Sequence, residues 1–389
     1  MRTGDTMGKT ARILLVICLF SVSTAIVIFA ANSIDVANRD FISYWAAGKQ
    51  IVHRANPYDS AAVLRTERSA GYTGDWPNML LNMPTAFFLI WPLGLVSAKM
   101  GMAMWFLAFI ACFMESIRLI WKMHGRPDNS LHLLGYFFAP AFVCMMAGQL
   151  GAFLLLGVVL FLYFRETRPL IAGASLLLCT VKPHLFVPFG VVLLTWALQR
   201  KAYRIPIGTA AALAASCALT YSFDPRAWAQ YSWMMSNNAG IQQDFVPTMS
   251  VLFRLIVDRN ATWLQYVPTA AASIWALWYF WARRATWNWL HHGMLVLLVS
   301  ELCAPHAWFT DEVMVLPAIL VALYAAKGSR GPLLLYCAMT GIALAEFLAD
   351  VKLVSPYYLW TAPAWLALYL FATRAKVSHA AVVMSGAES

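Results

Sequence analysis

The chain alternates long apolar runs with short polar breaks. Runs at 11–31, 99–121, 131–147, 149–164, 168–181, 183–199, 204–221, 263–283, 289–304, 309–326, 332–349 and 356–373 each read as a membrane helix. Several are shorter than the roughly 20 residues that a spanning helix uses. Two stretches depart from the pattern. From Arg39 to Asp59 an acid, aromatic rings and basic groups lead into a Pro-Tyr stop, which suits a helix lying flat in the interface. On a helical period Phe41, Trp45, Gly48 and Val52 share one face, and Asp40, Tyr44, Ala47 and Ile51 share the next. Asp40 opens this helix, either as its N-cap or as a catalytic carboxylate, and these residues alone leave both readings open. Between Met83 and Val96 lies an apolar stretch with prolines at 84 and 92, short for a span.

Composition fixes the class. With 61% hydrophobic and 12% charged residues and a mean hydropathy of +0.64, too little polar surface exists to cover a soluble fold. The 17 Trp and 15 Tyr suit interfacial belts. A net charge of +10 raises the question of nucleic acid, but the basic residues sit between apolar runs and form no stripe, which excludes it. The seven Cys lie in or at the ends of apolar runs without CxxC or metal spacing, so neither a disulfide framework nor a zinc site is indicated. The first apolar run follows a short basic start, as a signal peptide does, yet its length favours a retained helix.

Charge also sets the orientation. If 83–96 dips into the outer leaflet without crossing, there are twelve spans and both termini are cytoplasmic. The inner loops then hold 17 of the 28 Lys and Arg against five acids, while the outer segments hold 11 basic and 11 acidic residues. A full crossing at 83–96 would put the basic clusters outside, against the positive-inside bias. The half-embedded reading gathers Asp40, Gln149, Lys182, His184, the long 222–262 loop, His306 and Asp311 on the outer face.

Ionisable groups at membrane depth cost a few kcal/mol each and mark sites or pathways. The outer set has a carboxylate (Asp40), an amide (Gly148-Gln149), a cation with proline and histidine (Lys182-Pro183-His184) and a histidine with two acids (Pro305-His306, Asp311-Glu312). A base, a cation and a greasy groove fit transfer of a sugar from a lipid-linked phosphate. The base takes the acceptor hydroxyl proton, and the cation stabilises the departing phosphate. A nucleotide-sugar enzyme would need a soluble domain, and the longest loop, 222–262, is too short to hold one.

These residues carry a family resemblance. Asp40-Phe41-Ile42-Ser43-Tyr44-Trp45 closing in Asn56-Pro57-Tyr58-Asp59, the Met83-Pro84 to Trp91-Pro92-Leu93 segment, Gly148-Gln149, Lys182-Pro183, and Pro305-His306 with Asp311 resemble glycosyltransferase family 87. Its members are bacterial polyprenyl-phosphate-mannose-dependent α-mannosyltransferases of the GT-C superfamily. The chain departs from the family pattern at Arg54-Ala55, where a Gly is usual, at Met83-Pro84-Thr85, and at Thr310. The resemblance implies one all-α, polytopic GT-C domain over 1–389, with about 12 transmembrane helices and interfacial helices in a first periplasmic loop, 32–98. It further implies an inverting, metal-independent transfer in the bacterial plasma membrane, without cofactor, from a polyprenyl-phosphate sugar to a glycan or glycolipid acceptor on the periplasmic side. On that reading Asp40 is the catalytic carboxylate, His306 shares the base role or binds phosphate, and Lys182 and His184 bind the donor phosphate. Tyr44, Tyr58, Gln149 and Asp311 are the candidate contacts to donor or acceptor.

Each assignment has a plainer competitor. Lys182 could snorkel at the interface, His184 and His306 could be ordinary helix-start histidines, and Asp311 could serve the N-terminus of the next helix. Asp224-Pro225 and Asp244 read as turn and cap residues. The rival function is a transporter or lipid flippase without covalent chemistry. Against it, the chain shows no internal repeat, and its polar set clusters at one face instead of lining a path.

Overall fold

The computed structural model describes residues 36–37, 39–237, 245–326 and 330–385, with side chains up to Arg374. The first apolar run, expected as a retained helix, lies outside the described residues, as does Asp244. Among the described residues every regular element is helical. Among the described residues three helices are long and apolar enough to cross a bilayer: α4 (Ala98–Met123), α9 (Arg204–Phe223) and α15 (Arg330–Leu348). Most of the other described apolar runs appear as shorter or interrupted helices, while the last lies largely in the 25-residue α16 (Thr361–Ser385). The shorter ones include α5 (Ala139–Ala147), α6 (Gly151–Phe164), α7 (Pro169–Ser175), α8 (Val187–Gln199), α12 (Val267–Arg283), α13 (Met294–Leu302) and α14 (Leu316–Ala325). Proline explains much of the interruption, because it cannot donate to the preceding turn and drives the residue before it out of the helical region. At Lys182, just before Pro183, the backbone leaves the helix at φ −133°, ψ 68°.

The Arg39–Asp59 stretch forms the expected helix, α1 (Phe41–Val52), but it does not lie open on a surface. Residues of both predicted faces, Phe41, Tyr44, Trp45, Ala47, Gly48 and Ile51, are buried. The reason is a backbone-to-backbone crossing with the short helical segment Pro84–Leu95. A Cβ on Gly48 would stand 2.7 Å from the Ile90 carbonyl oxygen, and one on Gly94 would stand 2.1 Å from the Gly48 oxygen. The segment itself is among the apolar helices of 10–17 residues. At about 1.5–2 Å per residue it falls short of a hydrocarbon core about 30 Å thick. Its first carbonyls are also met from α9, where Thr220 Oγ1 donates to the Pro84 oxygen and Ser216 Oγ to that of Thr85, each at 2.7 Å.

α1 closes in a tight C-cap, with Arg54 N–H donating to Ile51 O at 3.0 Å and Ala55 N–H to Gln50 O at 2.8 Å. That geometry puts Arg54 in the left-handed region at φ 55°, where a side chain costs about 1 kcal/mol relative to glycine. The sequence departure at Arg54 therefore falls on the one backbone position of this turn that favours Gly. Asn56 Oδ1 then accepts from Tyr58 N–H at 2.9 Å, and Asp59 caps α2 (Ser60–Ser69) by accepting from the Ala61 and Ala62 amides. The predicted 222–262 loop contains α10 (Ala227–Asn237) and α11 (Met249–Val257). Asp224 does serve its turn, accepting from Arg226 N–H at 2.8 Å and Gln230 Nε2 at 2.7 Å.

Candidate active site

Three chain breaks converge beside the start of α1. The first is the α5–α6 turn. Gly148 sits at φ 75° and leaves no room for a side chain, because a Cβ there would stand 2.6 Å from that of Phe41. Trp105 Nε1 holds its carbonyl at 2.8 Å. The next residue, Gln149, is thereby set against Asp40, and its Nε2 donates to Asp40 Oδ2 at 2.6 Å. Asp40 makes no side-chain cap to α1, so the capping reading fails.

The second break is Lys182-Pro183, and the third is the stretch from Pro305 into a 3-10 turn, Phe309–Val315. Lys182 Nζ pairs with Asp311 Oδ1 at 2.6 Å and reaches Gln149 Oε1 at 3.4 Å, while Tyr44 Oη donates to the same Gln149 oxygen at 3.0 Å. Asp311 Oδ2 accepts from Trp308 N–H at 3.1 Å. Gln149 is thus the middle of one row: Asp40, Gln149, Lys182, Asp311. Two donors on its oxygen and one acceptor at its nitrogen leave a single sensible orientation for the amide.

The row borders a cavity of about 1290 Å³, lined by Asp40, Tyr44, Tyr58, Gln149, Lys182, His184 and His306 among others. Asp311 is fully buried behind Lys182 and does not face the cavity. The exposed surface of Asp40 opens onto this cavity. The surrounding protein raises its carboxyl pKa above the ordinary 3.8, chiefly by burial, against the opposing pull of the Gln149 hydrogen bond and the Lys182 charge.

His184 and His306 face each other with ring centres 6.2 Å apart. His184 Nε2 is buried without a hydrogen-bond partner. Trp308 Nε1 donates to His306 Nε2 at 2.9 Å, so the neutral His306 ring carries its proton on Nδ1. Tyr58 lines the wall with its hydroxyl already given to the Asn82 carbonyl at 3.1 Å. Asn82 Nδ2 in turn donates to the Val181 carbonyl at 3.0 Å, joining the first loop to the Lys182 break. Asn82 and Trp308 were not anticipated. The signal for Asn82 was a lone amide beside Met83-Pro84; for Trp308 it was an indole between His306 and Asp311. Among the described residues no three His, Cys, Asp or Glu side chains come together as a metal site requires.

The model of glycosyltransferase family 87 matches residues 81–305, more than half of the chain. The chain belongs to glycosyltransferase family 87. No curated protein and no solved structure matches it. This family 87 member is therefore a membrane glycosyltransferase. The matched span contains Gln149, Lys182 and His184, whereas Asp40, Tyr44 and Tyr58 precede it and His306 and Asp311 follow it.

Proposed function

We propose that this glycosyltransferase moves a mannosyl or related sugar from a polyprenyl-phosphate donor to a hydroxyl of a glycan or glycolipid acceptor. We place the reaction at the periplasmic face of the bacterial plasma membrane, with inversion and without metal. The observation that carries the reading is the state of Asp40, a carboxylate with one oxygen fixed by Gln149 and no other side-chain hydrogen bond among the described residues. Its second oxygen is available to the cavity. In a single displacement the acceptor oxygen attacks the anomeric carbon, its proton passes to that free oxygen, and the carbon–oxygen bond to phosphate breaks with its electron pair leaving on the phosphate. Lys182 offers an N–H donor toward that phosphate, its charge largely offset by Asp311. The His306 tautomer supports a donor role there and leaves Asp40 as the base. His184 Nε2, enclosed and unpartnered, suits a sugar hydroxyl.

Asp40→Asn tests this directly. With a polyprenyl-phosphate mannose donor, purified variant protein is expected to lose about 10²- to 10⁴-fold in turnover while keeping its fold. A folded variant with near wild-type turnover would remove Asp40 from the base role.

A further inference from the structure

The phosphate has too little positive charge around it if Lys182 acts alone. Lys182 stands 2.6 Å from a buried carboxylate, so a phosphate approaching it meets a nearly neutral pair. Asp40, also anionic when acting as base, faces the same cavity. Among the described lining residues one other full cation borders this space, Lys352. It lies beyond the family-matched span, on the turn after α15, and it is exposed.

Lys352 is held in place by its neighbours. Its carbonyl accepts from Ser355 N–H at 2.8 Å, and Val351 N–H donates to Glu346 O at 3.0 Å. Val351 and Leu353 on either side pack against the cluster that contains Phe309, and Phe309 follows Trp308, which lines the cavity with Lys352. The turn carrying Lys352 thus packs on a cluster to which the stretch that supplies Asp311 contributes Phe309. The salt bridges among the described residues are those of Arg118, Arg165, Lys182 and Arg226, so the Lys352 charge is not spent on Asp350 in its own turn or on any other described acid.

We propose that Lys352 binds the donor phosphate, giving the cavity the positive charge that the Lys182–Asp311 pair withholds. This rests on the lipid-phosphate donor proposed above. The shared chemistry is a phosphate oxygen, whether on the donor or on the headgroup of a surrounding anionic lipid, and the test separates the two.

Donor KM and kcat are measured for wild type, Lys352→Gln and Lys352→Arg in zwitterionic lipid and again with anionic lipid added. In zwitterionic lipid, Lys352→Gln is expected to raise donor KM about tenfold with kcat within about twofold, Lys352→Arg to restore most of it, and added salt to narrow the gap. An unchanged KM in Lys352→Gln overturns the assignment while leaving the donor reading intact. A loss seen only with anionic lipid present assigns the charge to bulk headgroups and also overturns it. If wild type neither turns over nor is inhibited by polyprenyl phosphate, the donor reading fails and Lys352 falls with it.

Discussion

Asp40 and Asp311 stand at opposite ends of one hydrogen-bonded row, and only one of them is finished. Asp311 has both oxygens taken, by the Lys182 ammonium and by the Trp308 amide, and is fully buried. Asp40 has one oxygen taken, no side-chain hydrogen bond on the other among the described residues, and a place in the cavity wall. The same residue type in the same network is therefore left open to two different tasks. A carboxylate with both oxygens engaged and buried positions its partner. One left half-filled beside an open space can take a proton.

The comparison makes opposite forecasts for two conservative changes. Asp40→Asn is expected to lose turnover and keep stability. Asp311→Asn is expected to lose stability as well as turnover, because Lys182 is left without its counter-charge. Breaking a buried pair by removing one partner costs about 3–5 kcal/mol, and we expect the low end, about 3 kcal/mol, because the Lys182 side chain keeps 12% exposure. Thermal unfolding beside turnover separates the two outcomes. An Asp311→Asn protein as stable as wild type would erase the distinction between the two aspartates.

Gln149 sharpens the contrast, since it touches both ends. Its hydrogen bond lowers the Asp40 pKa against burial, so Gln149→Leu should move the acid limb of the pH–rate profile upward. The base must be ionised, so activity is lost as pH falls through that limb. Turnover near neutrality should also fall about tenfold, since a hydrogen bond to a charged group is worth about 1.5–3 kcal/mol. An acid limb that stays put would mean that Gln149 only spaces the row.

Much of this was legible in the sequence, because the chain interrupts its apolar runs at the residues that matter. Gly148-Gln149, Lys182-Pro183 and Pro305-His306 are local signals, and proline and glycine give them a direct backbone meaning. The positions expected to share an outer face do border one cavity, with Asp311 behind them. What could not be read was long-range. Nothing near Gln149 says that it meets a carboxylate 109 positions away, and no period reveals that Trp308 fixes the tautomer of His306. The buried setting of α1 was missed for the same reason. A single Gly48 looks like any small residue until Gly94 lies against it. The count of membrane helices was blurred by proline breaks, which turn continuous apolar runs into shorter pieces.

A third carboxylate isolates what burial does without a cation. Glu67 on α2 is fully buried, and among the described residues its two oxygens accept only the Asn78 backbone amide, each at 3.1 Å. Burial lifts its carboxyl from the ordinary 4.5 to about 7. Between those values the folded chain holds a proton that the unfolded chain has released. Stability from this group is therefore highest on the acid side and declines as pH rises toward 7, then levels off. Glu67→Gln is neutral throughout, so its melting temperature should stay flatter from pH 5 to pH 8 and exceed wild type by a few degrees at the alkaline end. The effect is the smallest of the set, because the group sits at the edge of the first loop and not in the row. Parallel melting curves for wild type and variant across that range would show that Glu67 stays ionised despite its burial. A cation would then no longer be what distinguishes a tolerable buried acid such as Asp311 from a costly one.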